Sequence, residues 1–177
     1  MKNLRNIKII PREMLEEIVN PDNDISKKIQ KLLIVDDNNL DLSILDDFTT
    51  LSANELLEQG YVGFTPMLDE NITNTKRNTF LIVNLDEIDF SNWEDNLSVS
   101  GAIFIGTNRD NAVINNKNLR LLELIDLLLE LFHNKKLSAS GTISMKYASF
   151  VTYSEYTFGY KIAFKVYDQN NIRKAEI

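Results

Sequence analysis

The segment of residues 117–132, KNLRLLELIDLLLELF, constrains the fold of this chain more than any other. As a helix at 100° per residue, it places its polar side chains on one stripe: Arg120, Glu123, Asp126 and Glu130. Leucine, isoleucine and phenylalanine cover about half of the circumference, and Leu119 and Leu127 intrude into the polar stripe. A surface helix that packs on one core needs an apolar stripe only about 100° wide. The sequence therefore predicts a second partner for this helix, either the N-terminal part of the chain or another subunit.

Composition narrows the class of protein. The chain has 177 residues, of which 44% are hydrophobic and 25% are charged, and this predicts one domain over residues 1–177 with a single core. Its longest apolar runs fall far short of the 18 or so residues that a membrane span needs. The absence of cysteine excludes disulfides, thiolate metal sites and cysteine nucleophiles. The net charge of −7 argues against sequence-independent binding to nucleic acid phosphates.

Residues 1–75 are predicted to form a helical and irregular region. A helix over residues 11–33 begins with Pro11, is interrupted at Asn20–Pro21, and continues after Asp24, which is predicted to cap its second part. Ser52 and Glu55 form the capping-box pattern of a short helix that Gly60 ends.

Residues 76–177 are predicted to form a core of two strands, one helix and two further strands. The first two strands are expected near residues 80–90 and 99–105, and the last two near 143–153 and 158–166. On the third strand, the odd-numbered residues from Ile143 to Tyr153 are predicted to share one face. The helix between the strand pairs is expected to be capped by Asn116 or Asn118. The predicted fold class is α+β: a mixed or antiparallel sheet of about four strands, with one long helix packed across it, N-terminal helices and an irregular insertion.

Residues that could carry catalysis do not form a known pattern. His133 could join Asp126 and Ser138 in a triad, but the sequence has no nucleophile elbow. The acidic pairs Asp36–Asp37 and Asp86–Glu87 could hold Mg²⁺ at strand ends, yet such pairs are expected by chance in a chain rich in Asp and Asn. No glycine-rich phosphate cradle occurs. We therefore expect no catalytic, metal-binding or cofactor-binding residues.

Six aromatic side chains lie on the last two predicted strands and could stack single-stranded bases: Tyr147, Phe150, Tyr153, Phe158, Tyr160 and Phe164. The surrounding positive charge is weak for that role. Pairing across strands and packing in the core are the commoner uses of such residues. Core packing is therefore the prediction.

The order of elements over residues 79–168 resembles that of phage tail terminator proteins, which form the ring that ends tail-tube growth and meets the head connector. The matching segments are FLIVNLDEIDF, SVSGAIFIGTN, NLRLLELIDLLLELF and GTISMKYASFVTYSEYTFGYKIAFKVYD. The segment REMLEEIV resembles the leading helix of that family. Residues 34–76 depart from the family as an insertion, which could be a contact arm. Other neck proteins, including head-completion and connector rings, have related architectures.

The resemblance implies a non-enzymatic virion structural protein without cofactors, located in the tail or neck and assembled in the host cytoplasm. Its implied partners are other copies of itself in a ring, which family resemblance would make hexameric, together with the tail tube protein and the head connector protein. Neither a membrane nor a sequence-specific nucleic acid is expected as a partner. Five residues are the candidates for a subunit interface: Leu119, Leu127, Leu131, Trp93 and Arg109.

Two functions of other classes remain open at the level of sequence. One is a Mg²⁺-dependent enzyme that acts on nucleic acid through the two acidic pairs. The other is a cytosolic module that binds a partner protein, such as an antitoxin or an anti-defence protein.

Overall fold

Four helices and eight strands make up the part of the chain that the computed structural model describes, namely residues 9–45, 48–64, 79–89, 98–114, 118–137 and 141–167. The helices are α1 (Ile10–Ile18), α2 (Asp24–Ile34), α3 (Ala53–Glu58) and α4 (Arg120–Phe132). The strands are β1 (Val62–Gly63), β2 (Thr79–Asp89), β3 (Ser98–Asn108), β4 (Val113–Ile114), β5 (Asn118–Leu119), β6 (Lys136–Leu137), β7 (Gly141–Thr152) and β8 (Thr157–Tyr167).

The N-terminal helices begin largely where the sequence provides a cap. Pro11 lies in the first turn of α1, where its missing N–H costs no hydrogen bond. The cap of α2 is Asn23, whose side chain accepts a hydrogen bond of 2.9 Å from the backbone of Ile25. The prediction of Asp24 as the cap is therefore wrong by one residue, and Asp24 is the first residue of the helix. The capping box of Ser52 and Glu55 is confirmed.

The main sheet has six strands in the order β1-β2-β3-β8-β7-β6, and only β1 and β2 run parallel. The two strand pairs predicted from the sequence are β2 with β3 and β7 with β8, and β3 joins β8 at the centre. The predicted number of about four strands is too low, because β1 and β6 add one short strand at each side. Two-residue strands leave no alternation of apolar and polar residues that could be seen in a sequence. β4 and β5 pair separately, just before α4.

One face of the sheet, here called the inner face, packs against α1, α2 and α4. Val83, Ile103 and Ile162 lie side by side on this face and are buried. The opposite, outer face carries Phe104 and Lys161. The helices therefore form one layer and the sheet the other, with the core between them.

The leucine-rich helix α4 has two partners within the chain. It contacts α2 along one side and strands β3, β7 and β8 along another. Its buried residues cover about 160° of the helix circumference: Arg120, Leu121, Leu124, Ile125, Leu127, Leu128, Leu131 and Phe132. Of the two partners left open by the sequence, the N-terminal part of the same chain is thus the one that the structure shows.

The start of α4 differs from the prediction of an asparagine cap. The N-cap residue is Leu119, which makes no capping hydrogen bond with its side chain. Asn118 instead donates a hydrogen bond of 2.8 Å to the Glu123 side chain, and Asn116 lies outside the described residues. The Arg120 backbone N–H donates to the carbonyl of Ala112 at 2.9 Å, so a neighbouring backbone segment replaces the side-chain cap.

A bulge in each of two strands reverses the alternation of side chains. In β2 the pairing with β3 shifts between Leu85 and Glu87, and in β7 the pairing with β8 shifts between Met145 and Tyr147. Lys146 is the extra residue of β7. Before it Ile143 and Met145 face inward, and after it the even-numbered residues from Ala148 to Thr152 share that face. The prediction that the odd-numbered residues share one face is therefore wrong beyond Met145.

Candidate assembly surfaces

The predicted interface residues lie in different environments. Leu127 and Leu131 are only 8% and 4% exposed and belong to the core of their own chain. The prediction that Leu127 faces away from that core is wrong, because the buried sector of α4 is wide enough to include it. Leu119 is 49% exposed, and Arg109 is exposed in the 3₁₀ turn after β3. Trp93 lies outside the described residues.

The exposed side of α4 includes leucines that the sequence pattern assigns to the apolar half of the helix. Leu122 and Leu129 are 43% and 37% exposed, and with Leu119 they follow helical spacing along one side of the helix. Val113 pairs with Leu119 across the β4–β5 ladder and is exposed as well. We call these four residues the leucine surface: Val113, Leu119, Leu122 and Leu129.

Carboxylates surround the leucine surface. Asp126 and Glu130 are both exposed and project from the same side of α4 as Leu122 and Leu129. The surface therefore combines an apolar strip with a negative margin. A partner that covers it would need apolar side chains at its centre and would gain from cations at its edge.

Arg120 fixes the orientation of this surface. Its guanidinium group is fully buried and donates hydrogen bonds to backbone carbonyls of Leu32 at 2.7 Å, Val35 at 2.8 Å and Asn111 at 2.8 Å, with a longer one to Asp37 at 3.2 Å. The first residue of α4 thereby satisfies carbonyls at the C-terminal end of α2.

Two opposing effects act on the pKa of the Arg120 guanidinium group. Removal from water lowers the pKa of its guanidinium group, and the nearby charges of Asp36 and Asp37 partly offset this. The carbonyl acceptors complete the compensation, since each guanidinium nitrogen has a partner. Sequence reasoning placed Arg120 on the polar stripe and missed this role. Its spacing of four, seven and eleven residues from Leu124, Leu127 and Leu131 is the signal that could have shown its burial.

The second half of β7 is a second surface with exposed apolar side chains. From Lys146 to Phe150 every residue is exposed, which for a strand means that both faces are open. Tyr147 is 63% exposed on the outer face, and Phe150 is 60% exposed on the inner face. Among the described residues, only Lys135 and β6 pair with the outer side of β7, and they reach it at residues 141–143. We call residues 146–152, with their unpaired outer side, the β7 edge.

Hydrogen bonds at the two ends of β7 indicate which backbone groups point outward. The N–H of Ile143 donates outward to Lys135 at 2.9 Å, whereas the N–H of Tyr153 donates to Thr157 of the adjacent strand at 2.9 Å. Because backbone direction alternates along a strand and the bulge shifts it by one, the even-numbered residues after Lys146 point outward. The N–H and C=O groups of Ala148, Phe150 and Thr152 therefore face away from β8.

Tyr153 holds the end of the β7–β8 hairpin against the sheet. Its ring packs edge-on against Phe80 with ring centres 5.3 Å apart, and its hydroxyl donates to the carbonyl of Ile105 at 3.2 Å. Burial raises the pKa of the Tyr153 hydroxyl well above its ordinary value. The hairpin carrying the β7 edge is thus anchored at its tip.

The acidic pairs considered for Mg²⁺ do not come together. Asp36 and Asp37 lie near Arg120 in the helical layer, whereas Asp86 forms an ion pair of 3.1 Å with Lys161 on the outer face of the sheet. The described residues contain no group of three or more His, Asp or Glu side chains placed to hold a metal ion. The two acidic pairs therefore do not form one joint site.

The aromatic residues of β7 and β8 and the proposed triad of His133 are the remaining candidates from the sequence. Phe164 is buried, and Phe150 packs near Phe158 and Tyr160 with ring centres 5.9 and 5.6 Å apart. The prediction of core packing is wrong for Tyr147 and Phe150, because both lie on the open edge of the sheet. His133 is exposed at the C-terminal end of α4, and Ser138 lies outside the described residues.

Comparison with known proteins found no relative of this chain. No protein-family model matches this chain, and no curated protein matches it. In the part of the chain that the structure describes, no helix is both long and apolar enough to cross a membrane.

Proposed function

We propose that this chain is a non-enzymatic structural protein of a phage virion, a ring-forming subunit at the tail end or neck that resembles tail terminators. In this role it caps the tail tube and joins it to the head connector, and its contacts are steric and adhesive. The order β2, β3, α4, β7, β8 supports the proposal, since the resemblance rests on that order of elements.

The observation that carries the proposal is the leucine surface. Three leucines and a valine that are each more than a third exposed lie together on one side of α4 and β4–β5. Single exposed apolar residues are ordinary, but a contiguous group typically marks a contact with another protein. A ring subunit contacts its two neighbours through two different surfaces, and the leucine surface supplies one of them.

The support beneath the leucine surface suits a permanent contact. Arg120 ties the start of α4 to α2, and the opposite side of the helix is packed into the core. The exposed leucines are therefore held in place before a partner arrives. Such preorganisation lowers the entropy lost on association.

The test is a charge placed in the leucine surface. Leu122→Glu should change the free energy of unfolding by no more than about 0.5 kcal/mol, because residue 122 is exposed. It should prevent ring formation, since a charge would enter a desolvated contact. The matched control is Ile44→Glu, which changes an exposed apolar residue outside α4. Electron microscopy and sedimentation velocity, with purified tails for incorporation, measure the outcome.

The expected result is rings for the wild type and Ile44→Glu, and nothing larger than a dimer for Leu122→Glu. Rings of normal size from Leu122→Glu would contradict the role of the leucine surface. Cleavage of DNA or RNA by the wild type with Mg²⁺, lost in Asp36→Asn/Asp37→Asn, would replace the structural proposal by the enzymatic one.

A further inference from the structure

We infer that two copies of this chain pair along the β7 edge, antiparallel and about a twofold axis at Phe150. The two sheets would then continue into one another through β7. This inference concerns a different surface from the leucine surface, and it does not depend on the role in a phage tail.

The β7 edge lacks the usual protection of an open strand. Natural edge strands are shielded by charged side chains, by proline, by short length or by bulges. Lys146 provides a charge and a bulge at one end, but residues 147–152, YASFVT, contain neither a charge nor a proline. No described segment pairs with the outer side of these six residues, and such an edge is suited to pairing with another strand.

The backbone is self-complementary in the register centred on Phe150. The outward-facing residues are Ala148, Phe150 and Thr152, which are spaced symmetrically around Phe150. Antiparallel pairing opposes Phe150 to its own copy, and Ala148 to Thr152 of the partner subunit. Each of these three pairs exchanges two hydrogen bonds, so the junction contains about six.

The side chains match in the same register. On the inner face the two copies of Phe150 become neighbours, and on the outer face Tyr147 lies beside the backbone of Tyr153 of the partner subunit, whose ring stays packed on Phe80 of its own chain. Cross-strand aromatic pairs are among the favourable contacts of a sheet. The pairing therefore covers Phe150, which is one of the two large aromatic side chains that β7 exposes in the monomer.

The charges also match. Between Ser144 and Tyr156 the only side chains charged at neutral pH are Lys146 and Glu155, which have opposite signs. The antiparallel register places Lys146 at the end of the paired segment, beside the hairpin turn of the partner subunit that carries Glu155 of the partner subunit. The twofold axis repeats this contact, and no like charges meet. A contact of this kind is closed, so it ends at a dimer.

A cysteine scan tests the register directly, because the natural chain has no cysteine. Directly opposed residues of a hydrogen-bonded pair have Cα atoms about 5.5 Å apart, within the range of a disulfide. Phe150→Cys should therefore form a disulfide-linked dimer under mild oxidation. The control is Tyr147→Cys, equally exposed, whose two copies would lie six residues out of line, about 20 Å apart, and should not cross-link. Equal cross-linking of the two variants would overturn the inference.

Charge reversal tests the pairing without touching the core. We expect Lys146→Glu and Glu155→Lys each to weaken the dimer about tenfold or more, since each brings two pairs of like charges together. The double variant Lys146→Glu/Glu155→Lys should recover the wild-type dissociation constant to within about threefold. Sedimentation equilibrium at low salt measures all four proteins. Failure of the double variant to recover would count against the register.

Proline provides a third test that keeps the monomer intact. Ala148→Pro removes an outward N–H that makes no bond to any of the residues described above, so it should fold and remain monomeric. Ser149→Pro removes an N–H directed at β8 and should instead destabilise the sheet. A dimer of unchanged strength in Ala148→Pro would overturn the inference. Dimers without rings in Leu122→Glu would support pairing along the β7 edge independently of the leucine surface. Dimers in a wild type that forms no rings would support pairing along the β7 edge while contradicting the proposed function.

Discussion

Arg120 shows how a single charged side chain can be needed in the core of this fold. Its side chain has no exposure to solvent and donates its hydrogen bonds to backbone carbonyl oxygens, not to a carboxylate. Such a buried guanidinium group stabilises the fold by donating hydrogen bonds to backbone carbonyls. Loss of the donor leaves those carbonyls buried and unpaired.

We expect Arg120→Met to destabilise the protein by about 3–5 kcal/mol, because several buried acceptors lose their partner while the apolar volume is largely kept. Arg109→Met, at an exposed arginine eleven residues earlier, should stay within about 0.5 kcal/mol of the wild type. Urea unfolding followed by circular dichroism measures both. Similar stabilities for the two variants would show that water can replace the guanidinium group.

Tyr153 gives the stability of the fold a dependence on alkaline pH. The pKa of its hydroxyl is raised in the folded chain, so the unfolded chain loses this proton first as the pH rises past the ordinary value of 10.0. Its contribution to stability is complete below that pH and declines above it. We expect Tyr153→Phe to unfold more easily at pH 8 but to lose less of its stability between about pH 10 and pH 11.

The measurement is the free energy of unfolding against pH for the wild type, Tyr153→Phe and Tyr156→Phe. Tyr156 is 71% exposed in the adjacent turn and serves as the control. Parallel curves for the wild type and Tyr153→Phe would mean that the hydroxyl is not held protonated by the fold.

At the scale of elements, the sequence predicted the long strands and the capping box well, because both depend on local patterns. Ser52 and Glu55 lie three residues apart and need no other part of the chain. The bulge at Lys146 was not predictable, since one inserted residue leaves the composition of β7 unchanged. The sequence pattern predicts a buried Leu122 and an exposed Leu127, whereas the structure has Leu122 exposed and Leu127 buried. The pattern fails because the sequence does not show where α2 lies against α4.

The position of Leu127 gives a prediction for α4. Leu127→Glu should lower the free energy of unfolding by more than about 3 kcal/mol, on the order of the cost of an unpaired charge in the core. Leu122→Glu, five residues earlier on the exposed side, is the matched control. Thermal unfolding of the two variants as monomers distinguishes them. Equal melting temperatures would place both leucines at the surface.

The contact between β3 and β8 depends on small residues. Gly106 and Gly159 lie opposite each other, and a Cβ atom at Gly159 would collide with the carbonyl of Ile105. Gly159→Ala should therefore destabilise the sheet by about 1–3 kcal/mol, as overpacking does elsewhere. At Gly63 a Cβ would meet only Ile82 at 3.6 Å, so Gly63→Ala is the control. Urea unfolding that ranks the two variants in the reverse order would contradict this view of the β3–β8 contact.

At the scale of the whole molecule, the helical N-terminal region and the strand-rich region form one layered structure. The inner face of the sheet and the buried side of α4 are covered by α1 and α2, so residues 76–177 cannot bury their own apolar surface. The irregular segment around Leu40 also reaches the core. The candidate interface could be predicted only in part, because exposure of α4 depends on this covering by the N-terminal helices.

We expect a fragment of residues 76–177 to lack cooperative unfolding and to bind a hydrophobic dye, because its inner face would be open to water. The full chain should unfold in one transition and bind little dye. Chemical denaturation with the dye 8-anilinonaphthalene-1-sulfonate measures both. A sharp transition of the fragment would show that the strand-rich region is an independent domain.

The hydrogen bonds of Arg120 also impose a delay during synthesis, because the acceptors are made before the donor. Its acceptors at Leu32, Val35 and Asp37 precede it by 88, 85 and 83 residues along the chain. At a translation rate of about 5–20 residues per second, the end of α2 waits on the order of ten seconds before its donor exists. Until then its apolar side has no α4 to pack against, and a nascent chain in the cell would offer it to chaperones.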